Sequence, residues 1–124
     1  MRALVIDDSR VARMALSRIL VELGFEIEEA ENGEQAIAVL NSRGPFDVAM
    51  VDWNMPIMNG YEFVQKVRTN TQYSNMQLVM VTTENESGQV LKALTAGANE
   101  YVMKPFTDEM IVEKIEMLGL LQGE

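Results

Sequence analysis

Near its start the sequence reads ALVIDD at residues 3–8, four apolar residues followed directly by two aspartates. An apolar run of this length is typical of a strand that is buried on both faces, as the strands of parallel sheets are. Ligands of such sheets bind at the carboxyl ends of the strands. We therefore expect Asp7 and Asp8 to lie at a binding site.

Two more apolar runs end on residues that can carry chemistry. VAMVD at residues 48–52 ends on Asp52, and YVM at residues 101–103 is followed by Lys104. If all three runs are strands of one parallel sheet, their carboxyl ends converge at the same edge. The sequence thus predicts a site with three carboxylates and one ammonium group, which suits a hard cation together with an anion.

Strand patterns and helical patterns alternate five times along the chain. This alternation favours a doubly wound α/β fold. The predicted strands cover about residues 2–6, 26–31, 47–52, 77–82 and 100–103. The second of them carries alternating glutamates, Glu26 and Glu28, and is therefore expected at an edge of the sheet.

Capping residues and apolar spacing locate the helices. The first is predicted over about residues 10–23, with Gly24 as its end, while Asn32 and Thr107 are expected to be the N-caps of the second and fifth.

The fourth helix is predicted from a capping-box spacing over residues 83–86. Its residues Val90, Leu91 and Leu94 recur at helical spacing, so we expect them to pack inward.

Length and composition predict one domain over residues 1–124, because a chain of this size with 48% hydrophobic residues can bury a sizeable core. No apolar stretch approaches the roughly 20 residues that a membrane-spanning helix needs. We therefore expect a cytoplasmic protein without membrane insertion.

The residue types that are missing restrict the chemistry. The chain has no cysteine and no histidine, which excludes disulfides, thiolate sites and histidine catalysis. Its net charge of −9 argues against direct nucleic-acid binding, which requires Lys and Arg to neutralise phosphates. The alternative that this acidity serves only solubility stays open.

Four motifs together resemble the receiver domain of two-component response regulators. They are Asp7-Asp8, DWNMP at residues 52–56, Val81-Thr82 and KPF at residues 104–106. The resemblance covers essentially the whole chain, and it is strongest to chemotaxis regulators of the CheY type. It is this resemblance that supplies the expected fold, a flavodoxin-like five-stranded parallel sheet in the order 2-1-3-4-5 with five helices.

The resemblance implies that Asp52 accepts a phosphoryl group. It also implies that Asp7, Asp8, Asp52 and the backbone carbonyl of Asn54 bind Mg²⁺, with Mn²⁺ as an alternative ion. Elementary electrostatics agrees, because three crowded carboxylates cannot all stay ionised without a counterion. Considered singly, Asp8 could instead be the N-cap of the first helix, and Asp52 an ordinary turn residue at a strand end.

Three further residues acquire roles from the resemblance. Lys104 would contact the phosphoryl oxygens, Thr82 would donate its hydroxyl to them, and Tyr101 would turn inward as part of the switch. A cis peptide bond between Lys104 and Pro105 is implied as well. The alternatives are a solvated lysine, a threonine that packs in the sheet and an ordinary aromatic residue on an edge strand.

Loop residues beside the site are expected to tune it, and these are Asn54, Thr83 and Glu84. Thr83 departs from the family pattern, which usually has alanine or glycine there. Its larger side chain would narrow access for water or small phosphodonors, or merely cap the fourth helix.

The implied function is that of a single-domain, monomeric response regulator. It would take a phosphoryl group from a sensor histidine kinase and switch its binding to a target protein such as the flagellar motor switch. It would be a phosphoacceptor and not an enzyme, apart from self-catalysed phosphorylation and dephosphorylation. A phosphorelay carrier or phosphate sink has the same site and stays open, whereas an aspartyl-nucleophile phosphatase is disfavoured because Asn54 stands where a second acid is needed.

Overall fold

The computed structural model describes residues 1–83 and 87–121. Within them, five strands are present: β1 (Arg2–Ile6), β2 (Glu26–Ala30), β3 (Val48–Asp52), β4 (Gln77–Thr82) and β5 (Glu100–Met103). They form one parallel sheet in the order β2-β1-β3-β4-β5. The five α-helices are α1 (Arg10–Glu22), α2 (Gly33–Arg43), α3 (Gly60–Arg68), α4 (Ser87–Ala96) and α5 (Asp108–Met117). The expected fold and strand order are confirmed.

The sheet is covered on both faces, and alternate residues of each central strand pack on opposite sides. Leu4 and Ile6 of β1 face the cluster that contains α2, α3 and α4. Ala3 and Val5 face the cluster that contains α1 and α5. Strands β1, β3 and β4 are therefore almost entirely buried, as their apolar runs predicted, while β2 lies at an edge with exposed glutamates.

Most predicted boundaries agree with the structure to within one residue. Asn32 caps α2 by accepting a hydrogen bond from the Gln35 N–H at 2.9 Å, and Thr107 caps α5 in the same way. Ser9 is the N-cap of α1, since its side chain accepts from the Ala12 N–H. The alternative role of Asp8 as that cap is therefore wrong.

The inward packing predicted for α4 is wrong for two of its residues. Leu91 is 66% exposed and Leu94 is 40% exposed, whereas Ala93 is buried in the core. The helix packs through Ala93, and at about 3.6 residues per turn Leu91 lies on the opposite side of the helix. Residues 84–86 of the proposed capping box, among them Glu84 with its predicted tuning role, lie outside the described residues.

Across residues 1–83 and 87–121, no helix combines the length and the apolar character that crossing a membrane requires. The single-domain organisation and the cytoplasmic location stay predictions.

Candidate functional site

Three acids meet at the carboxyl edge of the sheet. Strands β1 and β3 are neighbours with Ile6 opposite Val51, so the residues that follow, Asp7 and Asp52, lie side by side. Oxygen atoms of Asp7, Asp8 and Asp52 lie within 4.8 Å of one another. Asp7 and Asp52 are buried and Asp8 is exposed. The structure thus brings together the three carboxylates that the sequence placed at strand ends.

Lys104 reaches this cluster from the end of β5. Its Nζ lies 2.8 Å from Asp7 Oδ2 and 3.4 Å from Asp52 Oδ1. Burial alone would lower the pKa of Lys104, but its hydrogen bond to Asp7 and the charges of Asp52 and Asp7 outweigh burial and raise this pKa. The ammonium group is therefore charged at neutral pH. The Lys104–Pro105 peptide bond is cis, as the resemblance implied.

The surroundings of Asp52 change its ionisation. Its pKa is raised from 3.8 to about 7, first because the carboxyl is buried and then because the charge of Asp7 lies nearby. A hydrogen bond with Asp8 also raises this pKa, while Lys104 acts in the opposite direction. One ammonium group thus does not compensate the acidic cluster, and further positive charge at the site would favour the ionised form of Asp52.

The cluster fits a hard divalent cation. Its donors are carboxylate oxygens, which Mg²⁺ prefers, and the exposed Asp8 gives the site access to solvent. The two oxygens of Asp7 accept hydrogen bonds from the Ser9 N–H and from Lys104, both at 2.8 Å, which fixes the orientation of that carboxylate. Asn54 lies in the exposed loop after Asp52, and its carbonyl as a ligand stays a prediction.

The backbone of Asp52 is packed against the start of α3. The Gly60 N–H donates to the Trp53 carbonyl at 2.9 Å, and a Cβ at Gly60 would collide with the Asp52 carbonyl oxygen. Only glycine permits this approach. The sequence pattern does not reveal this role of Gly60, because a glycine before a helical pattern resembles an ordinary loop residue.

Two residues of the β1–α1 segment were also missed. Ser9 donates its N–H to Asp7, and Arg13 donates from Nη1 to the Asp7 carbonyl oxygen at 2.6 Å. No local pattern could have identified Arg13, because its contact depends on where the end of β1 lies relative to α1.

The residues assigned to the switch lie on β4 and β5. Thr82 is buried at the end of β4, and its carbonyl accepts a hydrogen bond from the Lys104 N–H at 2.8 Å. Tyr101 is partly buried on the edge strand β5, with Lys114 Nζ 5.4 Å from its ring centroid. Their functional roles stay predictions.

Thr83 is exposed and directly follows the last residue of β4. It lines a cleft of about 410 Å³ together with Lys104, Pro105, Phe106 and residues of α1. This position suits the predicted control of access, which stays a prediction, as does the tuning role of Asn54.

Comparisons with known proteins identify the family. The model of the response regulator receiver domain matches residues 3–116. A chemotaxis protein CheY homolog of Campylobacter jejuni is 44% identical, with 100% of this chain and 97% of that protein covered. Chemotaxis protein CheY1 of Helicobacter pylori is 40% identical over 95% of this chain and 96% of that protein. The crystallised chemotaxis protein CheY4 of Vibrio cholerae superposes with a TM-score of 0.88 at 34% identity, covering 94% of this chain and 97% of that one. The chain therefore belongs to the receiver domain family of response regulators, and within it groups with the chemotaxis regulators of the CheY type.

Proposed function

We propose that this chain is a phosphorylation-operated switch in chemotaxis. Asp52 accepts a phosphoryl group from a sensor histidine kinase, and the phosphorylated chain changes its affinity for a target protein, the flagellar motor switch. The observation that carries the proposal is the clustering of three carboxylates within 4.8 Å, with Lys104 Nζ at 2.8 and 3.4 Å from two of them.

Asp52 is better placed than Asp7 to act as the nucleophile. Asp7 is fully buried and both of its oxygens accept short hydrogen bonds, whereas the contact between Asp52 and Lys104 is longer, at 3.4 Å. An oxygen of Asp52 attacks the phosphorus of a phosphohistidine. The new P–O bond forms as the P–N bond breaks, and the electron pair of the broken bond goes to the imidazole nitrogen. The product is an acyl phosphate.

Asp7, Asp8, Asp52 and the Asn54 carbonyl are proposed to hold Mg²⁺, with Mn²⁺ as an alternative ion. A bound divalent ion supplies positive charge that screens the carboxylates from the incoming phosphoryl group. Lys104, which stays protonated, adds a point charge at the same place.

The output is proposed to follow from contacts that only the phosphorylated form makes. Thr82 ends β4 beside Lys104, so a phosphoryl group on Asp52 would draw the hydroxyl of Thr82 inward. Tyr101, on the neighbouring strand, would then change its orientation. The relatives at 44% and 40% identity are chemotaxis proteins by name, which supports a role in chemotaxis. We propose that the chain acts as a monomer in the cytoplasm.

The test uses a radiolabelled histidine kinase as the phosphodonor. The label is expected to move to the chain in the presence of Mg²⁺, and the phosphorylated chain is expected to bind the motor switch protein more tightly than the unphosphorylated chain. Transfer of the label onward to a histidine-phosphotransfer protein, without a change in motor switch affinity, would favour the phosphorelay carrier. An unlabelled chain would contradict both functions.

A further inference from the structure

The side chain of Arg13, on α1, contacts the residue that follows β1 and the edge strand β2. Its side chain is only 12% exposed. Nη1 donates to the Asp7 carbonyl oxygen at 2.6 Å, and Nε donates to Glu29 Oε1 at 2.9 Å. The other carboxylate oxygen of Glu29 accepts a hydrogen bond from the Ser17 hydroxyl at 3.2 Å. The guanidinium group therefore ties helix α1 to the end of β1 and to the edge strand β2.

The carbonyl that Arg13 holds belongs to the peptide between the two adjacent acids of the cluster. The orientation of this peptide plane sets the direction in which the chain leaves Asp7, and hence where the carboxylate of Asp8 points. Asp8 is exposed, so packing does little to fix it. On the other side of the same turn, the Ser9 N–H holds the carboxylate of Asp7 at 2.8 Å.

We infer that Arg13 is a positioning residue for the divalent-cation site: it holds the Asp7–Asp8 peptide so that both carboxylates face one ion. Glu29 at 2.9 Å and Glu31 at 4.0 Å offset the guanidinium charge, which limits its repulsion of a cation. This inference rests on the proposed function, because it assigns a supporting residue to the same Mg²⁺ site. Residues that orient metal ligands typically change metal affinity by about 10–100-fold when they are removed.

Charge and positioning predict opposite signs for the removal of Arg13. The loss of a positive charge close to a cation site would by itself tighten Mg²⁺ binding. The loss of the hydrogen bond to the Asp7 carbonyl would weaken it. The sign of the change therefore separates a positioning role from a purely electrostatic one.

The experiment compares Arg13→Met with the matched control Arg43→Met. Arg43 also pairs with a glutamate of β2, Glu28, at 3.5 Å, and its removal costs the same charge. Each metal-free protein is titrated with MgCl₂, followed by the fluorescence of Trp53, the single tryptophan of the chain and the neighbour of Asp52. We expect about tenfold weaker Mg²⁺ binding for Arg13→Met, and binding within about twofold of the parent for Arg43→Met.

Unchanged or tighter Mg²⁺ binding by a folded Arg13→Met would overturn the inference while leaving the proposed function intact. A parent chain that binds no Mg²⁺ would overturn both. If Arg13→Met proves unfolded by circular dichroism, Arg13→Lys decides, because lysine keeps the charge but cannot hold the carbonyl and Glu29 together. Weakening by about threefold or more supports the positioning role, and unchanged affinity contradicts it.

Discussion

Lys104 donates a 2.8 Å hydrogen bond to the fully buried carboxylate of Asp7. Asp7 follows β1 and Lys104 follows β5, and strands β3 and β4 lie between these two strands in the sheet. The contact links the two outer members of the site across the edge of the sheet. It also gives the buried carboxylate of Asp7 a compensating positive charge. A buried carboxylate without such a partner is costly.

Replacing Lys104 by methionine should therefore lower the free energy of unfolding at pH 7 by about 1–3 kcal/mol. The folded-state pKa of Lys104 is raised above 10.5, so its stabilising contribution is fully present below pH 10.5 and is lost only as the pH rises through the folded pKa. The matched control is Lys114→Met, which removes a less buried pair with Glu100 and should cost less than about 1 kcal/mol. Urea unfolding measures both, and equal losses would contradict the special role of Lys104.

The raised pKa of Asp52 predicts how the stability of the metal-free protein depends on pH. Because the folded-state pKa of about 7 exceeds the ordinary 3.8, the folded state binds more protons between these values, and stability falls as the pH rises through this window. Asp52→Asn removes the effect and should be more stable than the parent at pH 8 by about 1–3 kcal/mol, with a smaller difference at pH 5. Urea unfolding in EDTA at both pH values is the measurement. The same difference at pH 5 and pH 8 would contradict the raised pKa.

Mg²⁺ at millimolar concentration should raise the melting temperature, since an ion that binds only the folded state stabilises it. Asp8→Ala should abolish most of this increase at little cost to the metal-free protein, because Asp8 is exposed. Asp108→Ala removes an exposed acid that pairs with Arg18 and is not one of the three acids of the cluster, and should keep the full increase. Differential scanning fluorimetry with and without MgCl₂ measures this increase for both variants. An equal increase in melting temperature for Asp8→Ala and Asp108→Ala would count against the site.

The backbone conformation of Ile57 indicates that a substitution at this position in the loop after Asp52 would stabilise the chain. It has a φ of 70°, and the Met58 N–H donates to the Pro56 carbonyl across it at 2.7 Å, the pattern of a γ-turn. A β-branched residue is strained there, and its side chain is 73% exposed, so it gains little from packing. Ile57→Asn should stabilise the chain by about 1 kcal/mol, whereas Ile57→Val keeps the strain and should not. Denaturant midpoints that are equal for the two variants would exclude strain as the cause.

The apolar pattern predicted the strands well because the central strands of a parallel sheet are buried on both faces, so nearly every residue in them is apolar. The three acids and Lys104 could be identified because these charged residues stand where the apolar runs end. Strand order came from family resemblance and not from the pattern.

The features that the sequence does not predict depend on which helices and strands lie next to one another in the fold. Leu91 and Leu94 have the spacing of a buried face, but Ala93 defines the side on which α4 packs. Arg13 resembles any surface arginine until the fold places it beside the Asp7 carbonyl. Gly60 resembles a loop glycine until α3 is seen to start against the backbone of Asp52.

Phosphorylation of Asp52 is tested most directly by intact-mass spectrometry after incubation with phosphoramidate and Mg²⁺. The parent chain is predicted to gain one phosphoryl group that maps to Asp52 and is removed by hydroxylamine, as an acyl phosphate would be. Asp52→Asn, shown to be folded by circular dichroism, is predicted to gain none. A phosphoryl group that is retained in Asp52→Asn, or that maps to another residue of the parent, would contradict Asp52 as the acceptor.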